Sequence, residues 1–184
     1  MRIPPEAKRV FKGIIFDVYQ WPQKLFDGTE TTFEMLKRVN TAEIIAVKDG
    51  KLCLTHQSQP NKADFYSVFG GRGEEEEDPL DTAKRELLEE SGLSSDNWEL
   101  FKEYQPLHKI DWSIYVYIAK DCKQVAAPRL DAGEQIEVME RTFEEFIDIV
   151  LSDKYWGNEL VLDVLRMKDR GTLEQFKSKC LTTT

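Results

Sequence analysis

Along most of this chain apolar and polar residues alternate, as they do in strands. The period lengthens to that of a helix between Asp78 and Gly92, and again after Thr142. The alternation predicts a strand over 10–19, broken by Trp21-Pro22, and a second over 29–39 after the turn signal Asp27-Gly28. In the second, Thr31, Phe33 and Met35 share one side. Strands over 41–47 and 51–56 flank Asp49-Gly50 and read as a hairpin. A polar loop with Pro60 fills 57–66, and a short strand covers 65–69. Further strands are predicted over 98–104, 112–119 and 135–141, separated by loops at 105–111 and 122–133. The run 112–119 is the most strand-like, with Ile114, Val116 and Ile118 set against Tyr115, Tyr117 and Ala119. Thr142 and Glu145 form a T-x-x-E capping box opening a helix over 143–152. Helices over 158–168 and 173–180 follow.

The helix in the middle of the chain has clear ends. Asp78 is an N-cap, Pro79 stands at the first helical position and Gly92 is the stop. Leu80, Ala83, Leu87 and Ser91 share one side and should face the core. Glu86, Glu89 and Glu90, at i, i+3 and i+4, crowd another side, with Glu74 to Glu77 just upstream. Such a cluster needs either open solvent or a cation, and a solvated face is the commoner case. Hard divalent cations take oxygen ligands, and Mg²⁺ commonly joins one or two carboxylates to substrate phosphates. Arg85, four residues before Glu89, can hold a carboxylate in place.

Composition narrows the function classes. At 184 residues the chain is expected to be a single domain, with an arm over 1–40 and a core over 41–184. A net charge of −9 argues against a nucleic-acid-binding surface. Cys53, Cys122 and Cys180 are scattered without zinc spacing and read as plain thiols. No secretory leader and no membrane span is evident, so a cytoplasmic protein without membrane partners is expected.

The spacing around the helix carries the most information. Gly71, five residues, Glu77, seven residues, then Arg85-Glu86-Leu87-x-Glu89-Glu90-x-Gly92-Leu93 resembles the signature box of the Nudix hydrolases at every defined position. The resemblance implies an α/β fold, an α/β/α sandwich with a mixed sheet and a catalytic loop–helix–loop. It also implies Mg²⁺- or Mn²⁺-dependent hydrolysis of a nucleoside diphosphate linked to another group. The strand pair ahead of the core is similar to the arm of the ADP-ribose and nucleoside-diphosphate-sugar pyrophosphatases, where the arm commonly serves a homodimer. Hydrolysis of nucleoside triphosphates or dinucleoside polyphosphates, and a non-catalytic nucleotide sensor, stay open beside this reading.

With the resemblance come residue roles. Glu86 and Glu90 are expected to be the main metal ligands, with Glu89 a third or water-mediated one and the Gly70 carbonyl a fourth. Arg85 is expected to orient a carboxylate, and Glu77 to hold Arg85 or help the metal shell. Glu134, in the loop before the last strand, is the expected general base, with His108 a second choice. Trp21 and Phe26 of the arm could stack on a nucleobase, although packing is the commoner use of such aromatics. Gln59 falls where related enzymes carry an arginine for phosphate, which weakens charge-assisted binding there. Phe69 and Glu76 also depart from the proline and glycine common in the box.

Overall fold

The computed structural model describes residues 2–130, 132–133 and 135–182. Its main sheet is built from β4 (Thr41–Lys48), β5 (Lys51–Ser58), β6 (Phe65–Ser67), β7 (Phe69–Arg72), β9 (Asn97–Tyr104), β11 (Ile114–Lys120) and β13 (Gln135–Arg141). The strand order is β13-β5-β4-β11-β9, with β6 on β5 and β7 on β4. β11 runs parallel to β4 and antiparallel to β9, so the sheet is mixed. The expected strand over 65–69 is divided in two. β4 and β5 pair with each other only near their turn, at 46–48 with 51–53. Beyond that, β5 pairs with β6 and β4 with β7, so the chain steps across at Val68 between two partners.

Both faces of the sheet are covered, because its central strands are apolar on both sides. Ile45, Val47, Ile114, Val116 and Ile118 pack with α2 (Phe143–Val150), α3 (Asn158–Arg170) and α4 (Leu173–Leu181), through Phe146, Val150, Leu160, Val164 and Phe176. Each such large side chain contributes roughly 1.5–3 kcal/mol when fully buried. Ala42, Ile44, Ala46, Tyr117 and Ala119 face the other way, toward Ala83 and Leu87 of α1 (Pro79–Ser91). Small residues on both sides of this second interface let α1 lie close to the sheet. The result is the expected α/β/α sandwich. Among the described residues, no helix is long and apolar enough to cross a membrane.

The arm is a second sheet of order β1-β2-β3-β10, from β1 (Lys8–Lys12), β2 (Asp17–Lys24), β3 (Glu30–Lys37) and β10 (Ile110–Asp111). Two expectations are corrected here. The strand over 10–19 is a hairpin, turned at Gly13, whose amide donates to Phe16 O at 3.1 Å and to Asp17 Oδ1 at 3.2 Å. A Cβ on Gly13 would lie 2.3 Å from Phe16 O, so only glycine fits this turn unchanged. Trp21-Pro22 does not end a strand, because β2 runs through it to Lys24. β1 reaches only as far as Gln20, so Pro22 sits where β2 is an edge strand, paired to Thr32 alone. β10, in the segment expected to be loop, pairs parallel with the end of β3 and ties the arm to the core. A last short ladder joins β8 (Leu93–Ser94) to β12 (Lys123–Gln124), inside the expected 122–133 loop.

Candidate active site

The site is set by the ends of α1. The Asp78 carboxylate accepts from the Leu80 amide at 2.8 Å, Pro79 opens the helix, and Gly92 closes it in the left-handed conformation. These caps fix where Arg85, Glu86, Glu89 and Glu90 stand. Behind them Ala83 and Leu87 are fully buried, so the helix cannot rotate without exposing its apolar stripe.

Arg85 is the hub. Its Nε and Nη2 donate to the two oxygens of Glu77, each at 3.1 Å, a forked pair. Its Nη1 donates to Glu86 Oε1 at 2.8 Å and Glu89 Oε2 at 3.0 Å, and Nη2 also reaches Arg72 O at 3.3 Å. Glu77 accepts two further bonds, from the Glu74 amide at 2.8 Å and Thr82 Oγ1 at 2.9 Å. The Arg85 guanidinium, helped by these donors, pulls the Glu77 carboxyl down to about 2. Thr82 is buried on the helix and was not expected in the site. Its signal was its place four residues after Asp78, one turn below Glu86.

Glu90 is only 6 % exposed, and its Oε2 accepts from the Gly70 amide at 2.9 Å, joining helix to glycine strand. Gly70 itself pairs with Glu43 of β4. A Cβ there would lie 2.2 Å from Ala42 O, and φ is +148°. At Gly71 a Cβ would lie 2.5 Å from the Glu86 carboxylate. Gly71 therefore lets strand and acidic face approach to a distance that no side chain permits, while Gly70 is required by its own backbone and by β4 beside it. Burial raises the neighbouring Glu43 carboxyl to about 7.

The cleft over this surface, about 620 Å³, is lined by Gly70 to Gly73, Arg85, Glu86, Glu89 and Glu90. Arg129 and Leu130 close its far side, and the Arg129 amide donates to Glu89 O at 2.7 Å. Sequence reasoning missed Arg129, which lies in an irregular segment without a pattern to mark it. Among the described residues, no three His, Cys, Asp or Glu side chains already converge as a finished ion cage. The donor set nevertheless fits a hard divalent ion. It is all oxygen, it sits on one wall of an open cleft, and it leaves room for the waters and phosphates that Mg²⁺ retains.

The other expected site residues lie apart. Glu134 falls outside the described residues. Trp21 is buried and packs on Phe33 at 5.2 Å, with its Nε1 donating to Gln23. Phe26 is fully exposed at the tip of the β2–β3 hairpin. His108 is exposed in the turn between β9 and β10. None of these three lines the cleft over the box or the clefts beside it. Gln59 lines a neighbouring cleft and donates to Gln57 at 3.4 Å. That cleft holds three cations instead, Arg38, Lys62 and Arg72. Arg38 lies over Trp112 at 4.5 Å and Phe16 at 5.7 Å, and among the described residues its buried Nε has no partner. Burial, and then the nearby Arg72, lower its pKa. The three cysteines are buried and free, and burial raises Cys53 and Cys180 to about 12 and Cys122 to about 11, so none is a poised nucleophile.

Residues 36–162 match the NUDIX domain family, and this span contains the whole box, every residue lining its cleft but Ile14, and the main sheet through α2. The chain belongs to the NUDIX family. The resemblance of the box is borne out by this match. An ADP-ribose pyrophosphatase of Bacillus subtilis (strain 168) is 29% identical over 149 residues, which is 79% of this chain and 80% of that protein. A methanol dehydrogenase activator of Bacillus methanolicus is 24% identical over 163 residues, 86% of this chain and 88% of that one. Among solved structures, an ADP compounds hydrolase superposes with a TM-score of 0.69 at 16% identity, covering 91% of this Nudix chain and 95% of its own. That likeness is one of fold.

Proposed function

We propose that this Nudix pyrophosphohydrolase cleaves ADP-ribose or a related nucleoside diphosphate sugar to a nucleoside monophosphate and a sugar phosphate, with Mg²⁺ or Mn²⁺ as cofactor. The observation that carries the reading is the Arg85 hub. One guanidinium gathers Glu77, Glu86 and Glu89 on the helix face opposite a strand bare of side chains, with Glu90 fastened to that strand. The ADP-ribose pyrophosphatase among the similar proteins supports the substrate class.

In this reading Glu86 and Glu90 would hold the cation, with Glu89 and the Gly70 carbonyl as further oxygen donors. When bound, such an ion neutralises phosphate charge, orients the diphosphate and makes water a better nucleophile at neutral pH. Arg85 keeps the carboxylates at fixed positions, so little reorganisation is needed when substrate arrives. Arg38, Arg72 and Arg129 offer guanidinium groups to the phosphates, in place of the arginine that Gln59 lacks. Glu134 accepts the proton of the attacking water. A new P–O bond forms at one phosphorus, the bridging P–O bond breaks, and the other phosphate leaves with the electron pair. The protein acts as a homodimer, with exposed Phe11, Ile14, Ile15 and Phe26 of the arm supplying apolar contact area. A screen of nucleoside diphosphate sugars, nucleoside triphosphates and dinucleoside polyphosphates with either metal tests the substrate class. Turnover confined to triphosphates would overturn it.

A further inference from the structure

The last carbonyls of a helix have no partner within it and must find one elsewhere. At α1 they find it in a single strap of chain. β12 pairs Gln124 with Leu93 of β8, and from there the chain runs back along the helix end toward its acidic face. The Val125 and Ala126 amides donate to Gly92 O at 2.9 and 3.2 Å, and the Arg129 amide donates to Glu89 O at 2.7 Å. Gln124 Nε2 donates to Ser91 O at 2.8 Å and to Ala126 O at 2.6 Å, so one side-chain amide joins helix end and strap. Pro128 has its φ fixed by its ring and disfavours a helical Ala127, which stiffens the last step to Arg129.

Gly92 makes this contact possible. Its φ is +70°, as a helix-closing glycine requires, and a Cβ there would also lie 2.0 Å from Ala126 O and 2.5 Å from Gln124 Nε2. Strap and helix end therefore meet with no side chain of Gly92 between them. The strap ends at the cleft, where Arg129 lies across from Arg85, Glu86, Glu89 and Glu90. An arginine on an exposed irregular segment ordinarily loses much rotamer freedom when it is ordered on a ligand. Here its backbone is bonded to the turn of α1 that carries Glu89 and Glu90, so cation and carboxylates share one frame. A diphosphate entering a cleft with one acidic wall meets repulsion unless a cation faces that wall, and a guanidinium offers a phosphate two parallel donors. As the bridging P–O bond breaks, its electron pair passes to the departing phosphate, and a donor already in place there acts without reorganisation.

We propose that Arg129 meets the diphosphate across from the acidic face of α1, and that Gln124, which touches no substrate, is its positioning residue, acting through the strap over 124–129. The inference rests on the pyrophosphohydrolase reading above, but not on which nucleotide is cleaved.

A double-mutant cycle tests it. Gln124→Met keeps the length of the side chain and removes its donors, and Arg129→Ala removes the guanidinium. Both single variants and the double variant are compared with wild type in steady-state hydrolysis of ADP-ribose. Thermal melts check the fold, and hydrogen exchange reads the backbone of the strap. Gln124→Met is expected to speed exchange at Val125, Ala126 and Arg129 and to lower kcat about tenfold with KM little changed. Arg129→Ala is expected to lower kcat about a hundredfold. In the Arg129→Ala background, Gln124→Met should cost less than about twofold, because a residue that acts through another has nothing left to position. Equal losses in both backgrounds, or exchange unchanged by Gln124→Met, would overturn the positioning role. Full activity in Arg129→Ala would overturn the phosphate contact. If ADP-ribose is left intact but another nucleotide is cleaved, the substrate reading fails alone, and the cycle is run on that nucleotide with the same expectations. Only a wild type that cleaves no nucleotide overturns both together.

Discussion

Arg85 grips both oxygens of Glu77 in parallel, each at 3.1 Å, although seven residues and the start of a helix separate them. The same guanidinium bonds Glu86 and Glu89. A lysine at this position keeps the charge but has one nitrogen in place of the fork. Arg85→Lys is therefore expected to lower kcat about 10- to 100-fold, the usual cost of losing a group that orients metal ligands. Glu77→Gln should do the same more mildly and cost about 2 kcal/mol of stability, since several donors lose a charged acceptor. Steady-state kinetics and urea unfolding check both. Full activity in Arg85→Lys would mean that the hub is packing alone.

Gly70 and Gly71 are adjacent and should fail differently. A Cβ on Gly70 meets backbone, and its φ is unfavourable for any other residue. Gly70→Ala should lose about 1–3 kcal/mol of stability, read by urea unfolding. A Cβ on Gly71 meets only the movable end of Glu86. Gly71→Ala should keep most of its stability and lose about a hundredfold in rate, because Glu86 is displaced.

Acid stability should depend on a group far from the box. Asp163 of α3 is buried, and it accepts from Lys102, from Tyr104 Oη at 2.7 Å and from Arg166 at 3.3 Å. Burial pushes its carboxyl up, and these three donors together outweigh burial and hold it below the usual value of 3.8. A lowered folded pKa contributes stability that is present above the unfolded pKa and is lost as pH falls through the folded one. Asp163→Asn should therefore lower stability at pH 7 by about 2 kcal/mol and flatten the loss of stability below about pH 4. Chemical unfolding of both proteins across pH 2–7 reads the difference.

The arm predicts an oligomer. Ile14 is almost fully exposed, with exposed Phe11 and Ile15 at the same end of β2, and Phe26 is wholly exposed at the other end. Sedimentation should give twice the mass of the 21.4 kDa chain, and Phe26→Asp with Ile14→Asp should shift it toward the monomer. A monomeric wild type would remove the arm interface from the account.

Much of this was legible where local chemistry decides structure. Asp78, Pro79 and Gly92 fix both ends of α1, and Thr142 with Glu145 forms the expected capping box at α2. Asp49 and Gly50 turn the β4–β5 hairpin with positive φ at both residues. What was not legible depends on partners distant in sequence. Pro22 is tolerated in β2 because β1 has already ended, and the break at Val68 exists because two different strands receive its two sides. The setting of Arg38 was hidden for the same reason, since its neighbour Trp112 is far along the chain.

The most direct test is hydrolysis of ADP-ribose by wild type and Glu90→Gln, each with Mg²⁺ and with EDTA. Glu90→Gln keeps the shape of the side chain and can still accept from the Gly70 amide, but it loses the charge. The account predicts AMP and ribose 5-phosphate from wild type with Mg²⁺ only, and a rate about a hundredfold lower or worse in the variant. Turnover that survives EDTA, or a Glu90→Gln variant as fast as wild type, would contradict a metal-dependent site on the acidic face of α1.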